Sequence, residues 1–315
     1  MPGDKAGKPH SMAPVVHIIA PEDRPSLRTA VEEGGAELGP LEQADAVVVF
    51  RTSPRDLPEL PDSVRWVQLP SAGVESWFAA GTIDHDRRWT SAGGVYARPV
   101  AEHCLALMMA GDREFGVFAQ ARSWDEDGRN RTRVLEGLTI AIVGAGGIGR
   151  ALIEMLQPFR VEILAVTRSG REVEGADRSF SAEQLDEVWP LAHHVVVAAP
   201  ATDGTRHLVG KPELDAMRDD AWITNVARGS LIDTDALVQA LREGTVLGAG
   251  LDVTDPEPLP DGHPLWDFEN VIITPHLANP ESVEEPLLAE RVTENVRRFV
   301  AGEDLLAPID PDAGY

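Results

Sequence analysis

Arg228, Glu257 and His276 follow one another at gaps of 29 and 19 residues, in the segments NVARGSLID, LDVTDPEPLP and NVIITPHLANP. Each stands just after a short apolar run. An arginine can grip a carboxylate with two parallel N–H donors and polarise the carbonyl beside it. A histidine, with a reference pKa of about 6.5, can give or take a proton near neutral pH. A carboxylate bonded to that histidine fixes its tautomer and favours the imidazolium. Together these groups meet the demands of adding a hydride to the carbonyl of a 2-oxo acid, where negative charge builds on the oxygen and a proton must reach it.

LDVTDPEPLP holds three acids. Asp252 ends a predicted strand, Asp255 is expected to face solvent, and Glu257 is fenced by Pro256 and Pro258. Each proline fixes its own φ and restricts the residue before it, so Glu257 is the acid expected to aim at His276.

Gly144-Ala145-Gly146-Gly147-Ile148-Gly149 follows the apolar run TIAIV and opens the helical stretch RALIEML. A GxGxxG pattern carries weight only between a strand and a helix, and here it has both. It predicts a dinucleotide site whose pyrophosphate meets the helix N-terminus. An acid about 20 residues further on, at the end of the second strand, is the usual partner of the ribose 2′-hydroxyl in an NAD site. Thr167, Arg168 and Ser169 stand there instead. A guanidinium pairs with a 2′-phosphate, so Arg168, with Ser169 beside it and Arg171 as a possible second ligand, predicts NADP, with NAD a possible alternative.

These residues need a scaffold of parallel strands. Apolar runs at VVHIIA, AVVVF and VRWVQL, with the helical stretch SLRTAVEEGG among them, predict a first parallel α/β sheet. PVAEHCLALMMAG reads as a long helix with a proline in its first turn, ended by Gly111, and SWDEDGRNRTR as an exposed loop. Six further strand candidates, from TIAIV to NVIIT, predict a complete doubly wound dinucleotide fold. The apolar residues Leu287, Leu288, Val292, Val296 and Phe299 mark one face of a last helix over 285–300. The expected fold class is therefore α/β, with two Rossmann-like domains and an active-site cleft between them. Residues 1–14 are read as a disordered tail, 15–97 and 285–315 as a discontinuous substrate domain, and 98–284 as the dinucleotide-binding domain.

In combination the motifs resemble those of the D-isomer-specific 2-hydroxyacid dehydrogenases, from LPSAGVES to the final helix. LDVTDPEPLP is most similar to the glyoxylate/hydroxypyruvate reductase branch. The resemblance implies that Arg228 is the substrate clamp, His276 the acid/base and Glu257 its orienting partner. It also places Asp252 at the nicotinamide carboxamide, Pro200, Thr205 and Ala227 near the cofactor, and the backbone amides of Ala72 and Gly73 at the substrate carboxylate. Arg51, after AVVVF, is a candidate for a second positive charge. The family further implies a homodimer, formed through the helix around Pro99 to Ala110 and the loop after it.

Composition narrows the classes. The net charge is −24, which disfavours nucleic acid and acidic membranes and leaves local arginines to attract an anionic substrate. No run of 18 uncharged apolar residues is present, the N-terminal segment lacks the apolar region of a signal peptide, and the single cysteine, Cys104, rules out an internal disulfide. These features place the protein in the cytoplasm. No Cys, His or acid cluster has metal-ligand spacing, so no metal is expected. Two alternatives share the fold: a short phosphoglycerate-type dehydrogenase, disfavoured because only 39 residues follow His276, and a dinucleotide-sensing corepressor, which would not need the catalytic trio.

Overall fold

The computed structural model describes residues 13–312. Up to residue 12, the tail expected over 1–14 lies outside the described residues. The chain divides into two units, Met1–Tyr96 with Glu281–Tyr315, and Ala97–Pro280.

The first unit is built on five parallel strands: β1 (Val15–Ile19), β2 (Glu37–Leu38), β3 (Ala46–Val49), β4 (Trp66–Gln68) and β5 (Arg88–Thr90), in the order β2-β1-β3-β4-β5. All four residues of central β3 are buried, as expected for a parallel strand covered on both faces. Helix Pro25–Glu33 packs against the long helix Glu281–Ala301, which buries Leu288, Val292, Asn295, Val296 and Phe299. The long helix begins one turn earlier than the sequence pattern predicts, which moves Pro286 from the first turn of the predicted helix to the second turn of the observed one. Glu281 and Glu284 complement the positive end of the helix dipole.

The second unit holds seven parallel strands: β6 (Thr139–Val143), β7 (Glu162–Thr167), β8 (Arg178–Ser181), β9 (His194–Val197), β10 (Trp222–Asn225), β11 (Gly248–Leu251) and β12 (Val271–Ile273). Their order, β12-β11-β10-β9-β6-β7-β8, runs outward both ways from β6. This is the doubly wound arrangement, with its switch point between β6 and β9. One core forms around Val195, Ile223 and Leu237, the other around Ile142, Leu152 and Met108, so both faces of the sheet are covered. Cys104 belongs to the second core, and burial pushes its thiol pKa up. Three strands carry no apolar run that marks them in the sequence: β2 (EL), β5 (RWT) and β8 (RSFS). Each is an edge strand of its sheet.

Helix Ala97–Asp112 packs on β10 closely enough that a Cβ on Gly111 would fall 2.4 Å from the Trp222 ring. At its end a buried polar network ties the unit together. Asp112 accepts from Arg133 Nε at 2.7 Å and from His194 Nε2 at 3.0 Å, while Arg133 Nη1 donates to the Asp220 carbonyl. His194 Nδ1 is buried with no hydrogen-bond partner among the described residues, so the neutral ring with its proton on Nε2 satisfies the site best. Burial holds the His194 pKa below its usual value despite the neighbouring carboxylate. Burial acts the other way on Asp112, but hydrogen bonds from His194 and Arg133 outweigh it and hold that carboxyl below the usual range.

Both shifts leave the unfolded chain binding more protons in acid. Stability from His194 is therefore present above pH ~6.5 and lost as pH falls below it, and that from Asp112 is lost below pH ~4. The apparent Tm should fall as pH drops from 7.5 to 5.5, and His194→Gln, which keeps a donor for Asp112, should flatten that dependence. Thermal melts across this range check it; an unchanged slope in the variant would exclude His194 as the source.

Candidate active site

The carboxyl ends of β10, β11 and β12, three neighbours in the sheet, carry Arg228, Glu257 and His276 respectively. Residues far apart in sequence are thereby gathered along one edge, where ligands bind in open α/β sheets.

Beyond β10 the chain is clipped by buried Asn225, whose side chain accepts from the Ala227 amide at 3.1 Å and donates to the Arg228 carbonyl at 2.8 Å. Ala227 is buried and Arg228 half-buried, its Nη1 2.7 Å from the Ala227 carbonyl. Gly229 then passes so near the next loop that a Cβ would lie 1.9 Å from the Thr254 carbonyl. Only glycine permits this contact, which locks the Arg228 loop against the one carrying Glu257.

The second loop is braced by Thr234 Oγ1 to the Asp255 carbonyl and Thr254 Oγ1 to the Pro256 carbonyl. The Asp255–Pro256 and Glu257–Pro258 peptides are both cis. Asp255 lies on the outside, 3.5 Å from Arg206, and Glu257 points to His276, its Oε1 2.7 Å from Nδ1. The Nδ1 proton is donated to the carboxylate, which leaves Nε2 for chemistry. Both side chains are about half exposed, 51% and 43%, so the bond orients the ring more than it stabilises the fold.

His276 stands at φ +50°, a left-handed conformation unusual for a non-glycine residue. Asp252 holds it there. This carboxylate, only 2% exposed, spends both oxygens on the turn after β12: Oδ1 accepts from Thr274 Oγ1 at 2.6 Å and Leu277 N at 2.9 Å, and Oδ2 from Ala278 N at 3.1 Å. The Asp252 carbonyl accepts from the His276 amide at 2.8 Å. Asp252, which the resemblance places at the nicotinamide carboxamide, holds with its carboxylate the loop that carries His276. His103, which has no recognisable partner in the sequence, meets Thr274 Oγ1 at 2.9 Å.

The glycine loop crosses the switch point. Gly144 has φ +102°, and a Cβ there would lie 2.4 Å from the Ala199 amide just beyond β9. Gly146 has open space on its Cβ side, and helix Gly147–Leu156 follows. The first amides of that helix, at Gly147, Ile148 and Gly149, have no intrahelical acceptor and sit at its positive end. A cradle bare of a side chain at Gly146 and lined by free donors fits a pyrophosphate. Arg168 and Ser169 are exposed just past β7, and Arg168 makes none of the hydrogen bonds or ion pairs found among the described residues. Thr205 is occupied locally, its hydroxyl donating to the Pro200 carbonyl at 2.7 Å and accepting from the Thr202 amide.

In the first unit, the amides of Ala72 and Gly73 donate to no described acceptor, and their loop is pinned by Tyr96, whose hydroxyl donates to the Pro70 carbonyl at 2.8 Å. Arg51, also left-handed at φ +48°, gives its guanidinium to Glu284 at 3.0 Å and Glu281 at 3.3 Å. Two acids thus offset the positive charge expected of it. Among the described residues no group of three or more His, Cys, Asp or Glu is placed to hold a metal ion, and no helix is long and apolar enough to cross a membrane.

Residues 105–278 match the family model described as "D-isomer specific 2-hydroxyacid dehydrogenase, NAD binding domain". The chain belongs to the D-isomer-specific 2-hydroxyacid dehydrogenase family. It is 42% identical over 292 residues to an uncharacterized protein of Corynebacterium melassecola, covering 91% of this chain and 96% of that one. It is 31% identical over 282 residues to a glyoxylate reductase of Pyrococcus furiosus, covering 84% and 81% of the two chains. Among solved structures, a D-isomer specific 2-hydroxyacid dehydrogenase of Xanthobacter autotrophicus Py2, in complex with NADPH and MES, superposes with a TM-score of 0.81 at 26% identity and covers 96% of this chain and all of its own. The chain is thus an oxidoreductase that transfers a hydride with a nicotinamide dinucleotide, and its cradle at Gly144–Gly149 fits that cofactor.

The Gly229 contact yields a direct check. Gly229→Ala drives a Cβ into backbone, and overpacking of this kind costs ~1–3 kcal/mol. A lower denaturant midpoint and weakened turnover are expected together, since Arg228 is the preceding residue; a variant equal to the parent in both would show that the two loops are not locked.

Proposed function

We propose that this chain reduces a small 2-oxo acid of the glyoxylate or hydroxypyruvate kind to the D-2-hydroxy acid, with NADPH as the preferred reductant. The observation that carries the reading is the 2.7 Å bond between His276 Nδ1 and Glu257, on a strand end two places along the sheet from Arg228. The bound dinucleotide supplies the hydride. Arg228 holds the substrate carboxylate and polarises the adjacent carbonyl. His276 gives a proton from Nε2 to the carbonyl oxygen as negative charge grows there. Glu257 keeps the ring in the tautomer that leaves Nε2 outward and stabilises the imidazolium before transfer.

The preference for NADPH rests on Arg168. It stands where an NAD site has an acid, it is exposed, and it is uncommitted among the described residues. The NADPH bound by the Xanthobacter protein is in keeping with that reading.

Two experiments test these assignments. In a panel of 2-oxo acids with wild-type enzyme, His276→Ala should lower kcat by ~10²- to 10⁴-fold, the usual range for a lost general acid; wild-type turnover by the variant would refute the assignment. For the cofactor, Arg168→Ala should cut kcat/KM for NADPH by about ten- to a hundredfold, the worth of a charged hydrogen bond, and leave NADH within about twofold. A wild-type enzyme that favours NADH tenfold would reverse the cofactor reading.

A further inference from the structure

His276 can act in catalysis only if its ring is presented at a fixed angle, yet its backbone lies in a region that L residues rarely adopt. The Asp252 carboxylate holds the turn over 274–278, and behind it stands a residue that none of the chemistry above uses. His103 projects from helix Ala97–Asp112 with its side chain 18% exposed. Its Nε2 lies 2.9 Å from Thr274 Oγ1 and 3.5 Å from Asp252 Oδ1.

Counting protons settles the direction of these bonds. Thr274 has one hydroxyl hydrogen and gives it to Asp252 Oδ1 at 2.6 Å. Its oxygen can then only accept from His103, so His103 Nε2 carries a proton and donates. The chain of bonds runs from His103 through Thr274 to Asp252, and from both Asp252 oxygens to the Leu277 and Ala278 amides beside His276. It links a core helix to the loop that presents the acid/base.

We propose that His103 is a positioning residue for proton transfer: its Nε2–H fixes the Thr274 hydroxyl, which secures the Asp252 clamp and sets the angle at which His276 meets Glu257. This rests on the reading of His276 as the acid/base. His103 touches no reacting atom in this role and acts only through the turn.

The test compares wild-type enzyme with His103→Leu, His103→Gln, Thr274→Val, the Leu/Val double variant and His276→Ala, with glyoxylate and NADPH as probes. Leucine fills similar volume without a donor, whereas glutamine carries an N–H near the position of Nε2. His103→Leu should lower kcat about tenfold, the order of one hydrogen bond, with the KM for NADPH within about twofold. His103→Gln should recover to within about threefold of wild type, and the double variant should lose no more than the worse single one, because both substitutions remove the same bond. A merely structural role would lower Tm without donor-specific rescue of kcat, so melts accompany the assays. Wild-type kcat in His103→Leu, no rescue by glutamine, or losses that multiply in the double variant would overturn the proposal. His276→Ala at wild-type rate would instead overturn the acid/base reading, and this proposal with it.

Discussion

The geometry of the candidate site depends on one buried carboxylate. Asp252 lies at the end of β11, 2% exposed, and a charge so placed is tolerable only if its oxygens are filled with donors. The donors come from a single stretch of chain, the turn after β12: a hydroxyl and two backbone amides. Hydrogen bonds to a charged acceptor contribute roughly 1.5–3 kcal/mol each. A left-handed non-glycine residue costs ~1–2 kcal/mol. The clamp therefore outweighs the strain at His276, and the turn keeps a conformation its sequence alone would not favour.

The sheet order explains why such a clamp can exist. Strands β10, β11 and β12 are neighbours, so their following loops meet although Arg228 and His276 are 48 residues apart. Asp252 forms the hinge of this group: its amide donates to the Asn225 carbonyl at the end of β10, and its side chain holds the loop after β12. The dinucleotide cradle lies instead at the switch point, where β6 and β9 adjoin and their following helices diverge. One parallel sheet thus supports a glycine cradle and a hydrogen-bonded His276–Glu257 pair at different places along the same edge.

Much of this was legible in the sequence because the chemistry dictates residue types. A glycine loop between TIAIV and RALIEML, and an Arg, Glu and His after three apolar runs, are the residue types that hydride transfer to a 2-oxo acid would need. The central strands were legible because burial on both faces demands continuous apolar runs, as in AVVV and TIAIV. The edge strands β2, β5 and β8 were not, since one side of an edge faces no partner and a segment such as RSFS can pair without an apolar run. The role of Asp252 was hidden for another reason. Its position at a strand end is visible in LDV, but whether its oxygens face a ligand or the protein depends on the path of a loop 22 residues away. His103 was hidden likewise, because it meets Thr274 only when helix Ala97–Asp112 lies on the sheet.

Burial, rather than identity of partner, separates the histidines. His276, His103 and His194 each bond an acid or a hydroxyl that is itself bonded to an acid. His194 is fully buried with Nδ1 unpartnered among the described residues, so a second proton would place an N–H where none of them accepts it. Burial accordingly holds it neutral, and it serves the fold. His103 is shielded and its Nε2 proton is committed to Thr274, which suits it to hold a loop rather than to exchange a proton with a substrate. His276 alone of the three is half exposed and keeps its acid on Nδ1, which leaves Nε2 uncommitted among the described residues. The same imidazole–acid contact thus supports the core in one place and leaves a ring nitrogen open to water in another, according to which ring nitrogen is committed and how deeply the ring is buried.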